Sequence, residues 1–237
     1  MQKKRFVELD FFRGLAIIGM VVFHYLFILM FIGAKDYKLY EGGFLVLARS
    51  VQFTFITLAG ISMAISWNLK KSKTRQVKRG LKVLLCAALV SLGSYLILPD
   101  YFIRFGILHL IGTSIILLTP LVHKKYIHLL IAPAIYLGSF FHTPMNTFEY
   151  FWYATGIDGW NKYYTLDYFS LMPWAALVSL GIFLGHILYE KNLLSTKMPK
   201  AIAPINFLGR HSLLIYMIHP IILILIIALS YSPSSLQ

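Results

Sequence analysis

Seven apolar runs, six of them of bilayer-spanning length, occupy most of the chain and restrict it to a membrane-embedded helical protein. They cover residues 10–32, 43–68, 79–98, 103–122, 126–141, 168–189 and 207–230. A helix rising about 1.5 Å per residue needs about 20 apolar residues to cross roughly 30 Å of hydrocarbon, where only its own backbone can satisfy its polar groups. The fifth run is short, which fits a tilted or partly re-entrant segment. Of 237 residues, 58% are hydrophobic and 13% charged, whereas a soluble domain carries roughly a quarter charged residues. The expectation is an all-α polytopic membrane protein, a single domain over residues 1–237, multi-pass in the cell membrane. No cleavage site follows the first run, so Leu9–Ile32 reads as a retained span. The lone Cys86 reads as a small buried hydrophobe.

Basic residues between the runs give the orientation. The N-terminal segment holds three Lys or Arg, residues 70–82 seven, 123–125 two and 190–200 three, against only Lys35, Lys38 and Lys162 in the alternate connections. The basic set faces the cytoplasm, which places the N-terminus inside and the C-terminus outside. The net charge of +13 is thus accounted for by topology and by contact with anionic lipid headgroups, with no nucleic-acid partner.

Orientation turns positions into depths. His24, Arg49, Gln52, His109 and His219 fall in a layer between the midplane and the outer interface, and ionisable groups at such depths mark a cavity or pathway. Arg13 lies near the cytoplasmic end of the first run. Eleven residues separate it from His24, which puts both on one helix face about 16 Å apart along the axis. Two readings of Arg13 coexist: an ion pair with Asp10 at i, i+3, with Asp10 capping the helix, and a ligand contact. His24 is readable as a hydrogen-bonded core histidine or as a reactive group. In the seventh run Ser212, Tyr216 and His219 form one stripe, and Pro220 frees a backbone carbonyl one turn earlier. That reads either as a cavity lining or as a proline kink whose gap the histidine fills.

The blocks RFVELDFFRGLAIIGMVVFH, FTFITLAGISMAIS, RFGILHLIGTSIILL, DYFSLMPWAALVSLGIFLG and LGRHSLLIYMIHPII, in that order, resemble the prokaryotic relatives of the heparan-α-glucosaminide N-acetyltransferase catalytic domain. That group is part of the transmembrane acyltransferase superfamily, which includes the acyltransferase-3 enzymes. The resemblance implies transfer of an acetyl group from cytoplasmic acetyl-CoA to a sugar or similar acceptor on the extracytoplasmic side. It implies no permanently bound cofactor and no metal, and relatives that dimerise suggest a homodimer. The acyltransferase-3 enzymes share a basic residue, ten intervening residues and a catalytic histidine, which Arg13 and His24 match. Their R-x-x-R motif is approximated by Arg75, Lys78 and Arg79. At His24 the lysosomal enzyme looks to have asparagine, so this chain departs from it there.

From these readings His24 is the expected catalytic base or nucleophile, with His109 and His219 as further catalytic candidates. Arg49 or Arg104 would stabilise an oxyanion or hold a carboxylate such as Asp100. Gln52, Asp167 and Tyr216 join the substrate-binding candidates. Arg13 and the Lys70–Lys82 cluster offer the positive charge that CoA phosphates need. Residues 142–167 combine Phe148, Tyr150, Phe151, Trp152, Tyr153, Trp160, Tyr163 and Tyr164 with Glu149, Asp158, Asn161 and Asp167. This composition suits an interfacial aromatic belt or sugar recognition. A transporter or flippase would also use intramembrane ionisable groups, but no internal repeat of the kind many transporters carry is present in the sequence.

Overall fold

The computed structural model describes residues 5–141, 149–157, 165–197 and 199–230. Within them the α-helices are α1 (Val7–Phe31), α2 (Gly42–Lys70), α3 (Lys73–Ile97), α4 (Ile107–Leu118), α5 (His128–Gly138), α6 (Glu149–Thr155), α7 (Leu171–Glu190), α8 (Ala203–Arg210) and α9 (Ser212–Ser230). Five of them, α1, α2, α3, α7 and α9, are long and apolar enough to cross a membrane, and Ile107–Leu121 and Lys125–Gly138 are shorter apolar helices. The protein is an integral, multi-pass, all-α membrane protein.

Each of the seven apolar runs is helical, but two expectations change. The seventh run does not begin as part of a single span: the polar stretch Gly209–Ser212 ends α8, and the chain turns at His211 before α9. The basic segment read as a connection is mostly helix. Lys71, in the left-handed region at φ 45°, separates α2 from α3, and the Ser72 hydroxyl accepts the Arg75 N–H at 3.3 Å as the N-cap of α3.

The chain divides into two compact units, one formed by Met1–Phe55 with Leu194–Gln237 and the other by Ile56–Leu193; the boundary falls within α2. In the first unit α1 packs on α8. Gly14 lies against the Ile205 backbone and Gly209 against the Asp10 carbonyl, with no room for a Cβ at either position. Without a hydrophobic difference between lipid and helix, such close backbone approach is a main source of helix association. The start of α1 is tied to the 195 region: Val7 N–H donates to the Ser195 carbonyl at 2.9 Å, and the Ser195 N–H donates to the Glu8 carboxylate.

In the second unit α2 packs on α7 by the same device, with Gly60 against the Val178 carbonyl and Gly185 against the Ile61 backbone. Met63, Ala64, Val178 and Ile182 are fully buried along that contact. Two histidines pin the turn 119–127 to this core. The His186 Nε2–H donates to the Val122 carbonyl at 2.8 Å, while its Nδ1 accepts from the Asn68 amide at 3.1 Å. The His128 Nε2–H donates to the Leu121 carbonyl at 3.2 Å, and its Nδ1 accepts from the Ser179 hydroxyl at 2.9 Å. The opposite side of α3 exposes Leu81, Leu85, Leu89, Leu92 and Leu96 in one stripe, the composition of a lipid-facing surface.

Candidate functional site

The first unit gathers four of the expected site residues at two levels of α1. At the N-terminal level Asp10 is buried and sits between two guanidinium groups, Arg13 Nη1 at 3.3 Å and Arg210 Nε at 3.5 Å. The expected Arg13–Asp10 pair is present, but Asp10 does not cap α1. The helix starts at Val7, where the bond to Ser195 holds it, and this leaves Asp10 in the first turn. Arg210 was not among the residues expected from sequence, although it is the only Lys or Arg in the run 207–230. The close approach of α8 at Gly209 brings it to Asp10. Nearby on α8, one turn before Arg210, the Asn206 amide is buried, and neither of its polar atoms has a hydrogen-bonding partner among the described residues.

At the second level, eleven residues further along α1, His24 meets His219 of α9. His24 Nδ1 lies 3.2 Å from His219 Nε2 and 3.0 Å from the Met20 carbonyl oxygen. The rings are 4.9 Å apart between centroids. His219 is buried, and its Nδ1 faces the carbonyls of Ile215 at 3.1 Å and Tyr216 at 2.8 Å. Tyr216 thus contributes its carbonyl, and its ring packs edge-on against His219. On α2 of the same unit the Arg49 guanidinium donates to Gln52 at 3.1 Å on an exposed face.

The second unit holds the remaining candidates. His109, in the first turn of α4, accepts the Gly106 N–H at Nδ1 and has Nε2 3.5 Å from the Ser91 hydroxyl. Ser91 itself donates to the Ile103 carbonyl at 2.5 Å. His109 therefore caps α4 while lining a cavity of about 390 Å³ with Ser91, Phe102, Arg104 and Tyr150. The Arg104 guanidinium stacks 4.2 Å above the Phe102 ring, and the Tyr150 hydroxyl donates to the Arg104 carbonyl at 2.8 Å.

Asp167 accepts the Ile107 N–H at 3.0 Å, so it caps the same helix. A parallel bridge between Phe105 and Tyr168 brings it there. Burial pushes its carboxyl up to about 6, against the opposing pull of the Ile107 N–H. On α3 Arg75 and Lys78 are exposed and Arg79 is half-buried. Of the aromatic segment, Phe148, Asp158, Trp160, Asn161, Tyr163 and Tyr164 lie outside the described residues, as does the Glu149 side chain.

With this geometry in place, the relation to known proteins is decided by one match: residues 5–221 fit the family model of the heparan-alpha-glucosaminide N-acetyltransferase catalytic domain. The chain belongs to that family. No curated protein and no solved structure matches it. Family membership supports a membrane enzyme of the acyl-transfer class. The matched span takes in both arginine–aspartate and histidine levels of the first unit and the cavity of the second.

Proposed function

We propose that this protein transfers an acetyl group from cytoplasmic acetyl-CoA to a hydroxyl or amine of a sugar or related acceptor on the extracytoplasmic side, with the N-terminus cytoplasmic. The observation that carries the proposal is the His24–His219 contact at 3.2 Å, on the helix whose other end bears Arg13. Ionisable side chains inside an apolar bundle commonly mark a functional site, and here His24 is left with Nε2 available.

In the proposed step, His24 Nε2 takes the proton of the acceptor O–H or N–H as that atom attacks the thioester carbonyl. The carbonyl carbon gains the new bond to oxygen or nitrogen, the C–S bond breaks, and the leaving CoA thiolate recovers the proton from the His24 imidazolium. Among the described residues Nε2 has no hydrogen-bonding partner, which leaves it available for this role. Arg13 and Arg210, both within reach of Asp10, are the cationic side chains at this level of the first unit that a donor phosphate would meet. Arg75, Lys78 and Arg79 of the second unit are a separate basic group, with Arg75 and Lys78 exposed.

The test uses the full chain in lipid vesicles or nanodiscs with acetyl-CoA labelled in the acetyl group. CoA release together with transfer of label to an added glucosamine-type acceptor, both lost in His24→Ala, is the expected result. Unchanged CoA release in that variant overturns the assignment of His24. Passage of acceptor across sealed vesicles without label would replace the enzyme with a transporter.

A further inference from the structure

Three backbone carbonyls around the histidine pair constrain where the protons sit. A carbonyl oxygen only accepts, so a ring nitrogen held against one carries the hydrogen. Pro220 has no N–H, and the carbonyl it leaves without a helical partner is that of Tyr216, four residues earlier. That carbonyl is filled by His219 Nδ1 at 2.8 Å, with Ile215 O at 3.1 Å sharing the same hydrogen. His219 therefore carries its proton on Nδ1, and in the neutral ring its Nε2 is a lone pair.

The lone pair is aimed at His24 Nδ1, 3.2 Å away, and the Met20 carbonyl lies 3.0 Å from that same nitrogen. Both neighbours of His24 Nδ1 are acceptors, so the hydrogen of His24 sits there too. Its remaining lone pair falls on Nε2. An isolated imidazole exchanges freely between its two neutral forms, whereas here each ring is held in one. The order of donation runs from His24 to His219 to the carbonyl that Pro220 releases.

We propose that His219, set by Pro220, is a positioning residue that holds His24 in the Nδ1–H form, so that the lone pair needed for proton abstraction stands on Nε2. This deepens the acyl-transfer reading and rests on it for its kinetic consequence. The logic is that of the third member of a hydrolytic triad, with an imidazole lone pair and an orphaned carbonyl in place of a carboxylate. It adds no charge to the apolar interior, which a carboxylate would.

Nitrogen-15 NMR of histidine-labelled full-length protein in nanodiscs reads the form of each ring, with His24 assigned by the signals lost in His24→Ala. The wild type is expected to show His24 protonated at Nδ1 and bare at Nε2. His219→Leu removes one of the two acceptors and leaves the Met20 carbonyl, so the Nε2–H fraction should rise measurably above that of the wild type. The same change should slow transfer about 10–100-fold, with the KM for acetyl-CoA within twofold. His219→Gln retains an accepting oxygen and should keep the wild-type form and most of the rate. Pro220→Ala gives Tyr216 O a competing N–H, and a partial mixture with a few-fold slower rate is expected.

A wild-type His24 protonated at Nε2 overturns the proposal, as do equal rates for the Leu and Gln variants. If the wild type transfers no acetyl but its Nδ1–H form responds to His219→Leu, the acyl-transfer reading falls and the positioning role stands. If transfer depends on His24 while the ring form ignores His219→Leu, the positioning role alone falls.

Discussion

The two units each contain histidines in apolar helices, but they spend the ring nitrogens differently. In the second unit His186 and His128 have both nitrogens engaged, one donating to a backbone carbonyl and the other accepting from Asn68 or Ser179. His109 is likewise engaged at Nδ1 by a backbone N–H and faces Ser91 with Nε2. In the first unit His219 is fully engaged, yet His24 Nε2 has no hydrogen-bonding partner among the described residues. A histidine whose two nitrogens are satisfied acts as a bolt between helices. One whose last lone pair is left over keeps a chemical function, and only the partners distinguish the two.

The largest expected effect separates these roles outright. His24→Ala should lower acetyl transfer by about 10²–10⁴-fold with little change in thermal stability, read by label transfer alongside a melting curve in detergent. His186→Ala should do the reverse. It orphans the buried Val122 carbonyl and takes one acceptor from the half-buried Asn68 amide, costing on the order of 1–3 kcal/mol, while transfer per folded molecule stays near wild type. If His186→Ala abolishes transfer without loss of stability, the distinction between bolt and reactive group fails.

Asp167→Asn sharpens the comparison through pH. The carboxyl of Asp167 is raised to about 6 from an ordinary 3.8, so the folded protein binds this proton more tightly than the unfolded chain does. The stability it contributes is present below about pH 4 and is lost as pH rises through about 6, a span of a few kcal/mol. Asparagine still accepts the Ile107 N–H but cannot ionise. Unfolding curves between pH 4 and 7 should therefore be flatter for the variant, and identical slopes would show that Asp167 titrates as an exposed acid. The smallest effect is expected from Arg210→Gln. Arg13 keeps Asp10 company, and the KM for acetyl-CoA should rise by several-fold to about tenfold with kcat preserved.

Sequence reasoning reached the features that depend on one helix at a time. All seven apolar runs are helical, and the Arg13–Asp10 pair follows from i, i+3 spacing along α1. What it could not reach depends on which helices lie side by side. The His24–His219 contact joins residues 195 apart in the chain, so depth alone proposed it without pairing it. Arg210 carries no signal in the sequence because its partner sits on another helix and because the run 207–230 reads as continuous, although the chain turns at His211. His128 and His186 carry no periodic or motif signal, and their partners are a serine, an asparagine and two turn carbonyls scattered over the second unit. The filled carbonyl before Pro220 is the exception: proline chemistry foretold the gap, and the structure shows His219 Nδ1 in it.

The glycines at 14 and 209 act as a gauge whose setting is invisible to hydropathy. Exchanging either for alanine leaves every apolar run intact and would pass any scan for membrane spans. Yet each new methyl would meet a backbone that has no side chain to move aside. The cheapest relief is for α8 to back away from α1, and at 3.5 Å the Arg210–Asp10 pair has little distance to give. In a variant of this kind the apolar spans would keep the hydropathy that insertion requires. The loss would fall on the charge balance beside Asp10, so two of the least polar positions in the chain help set the electrostatics of its most polar corner.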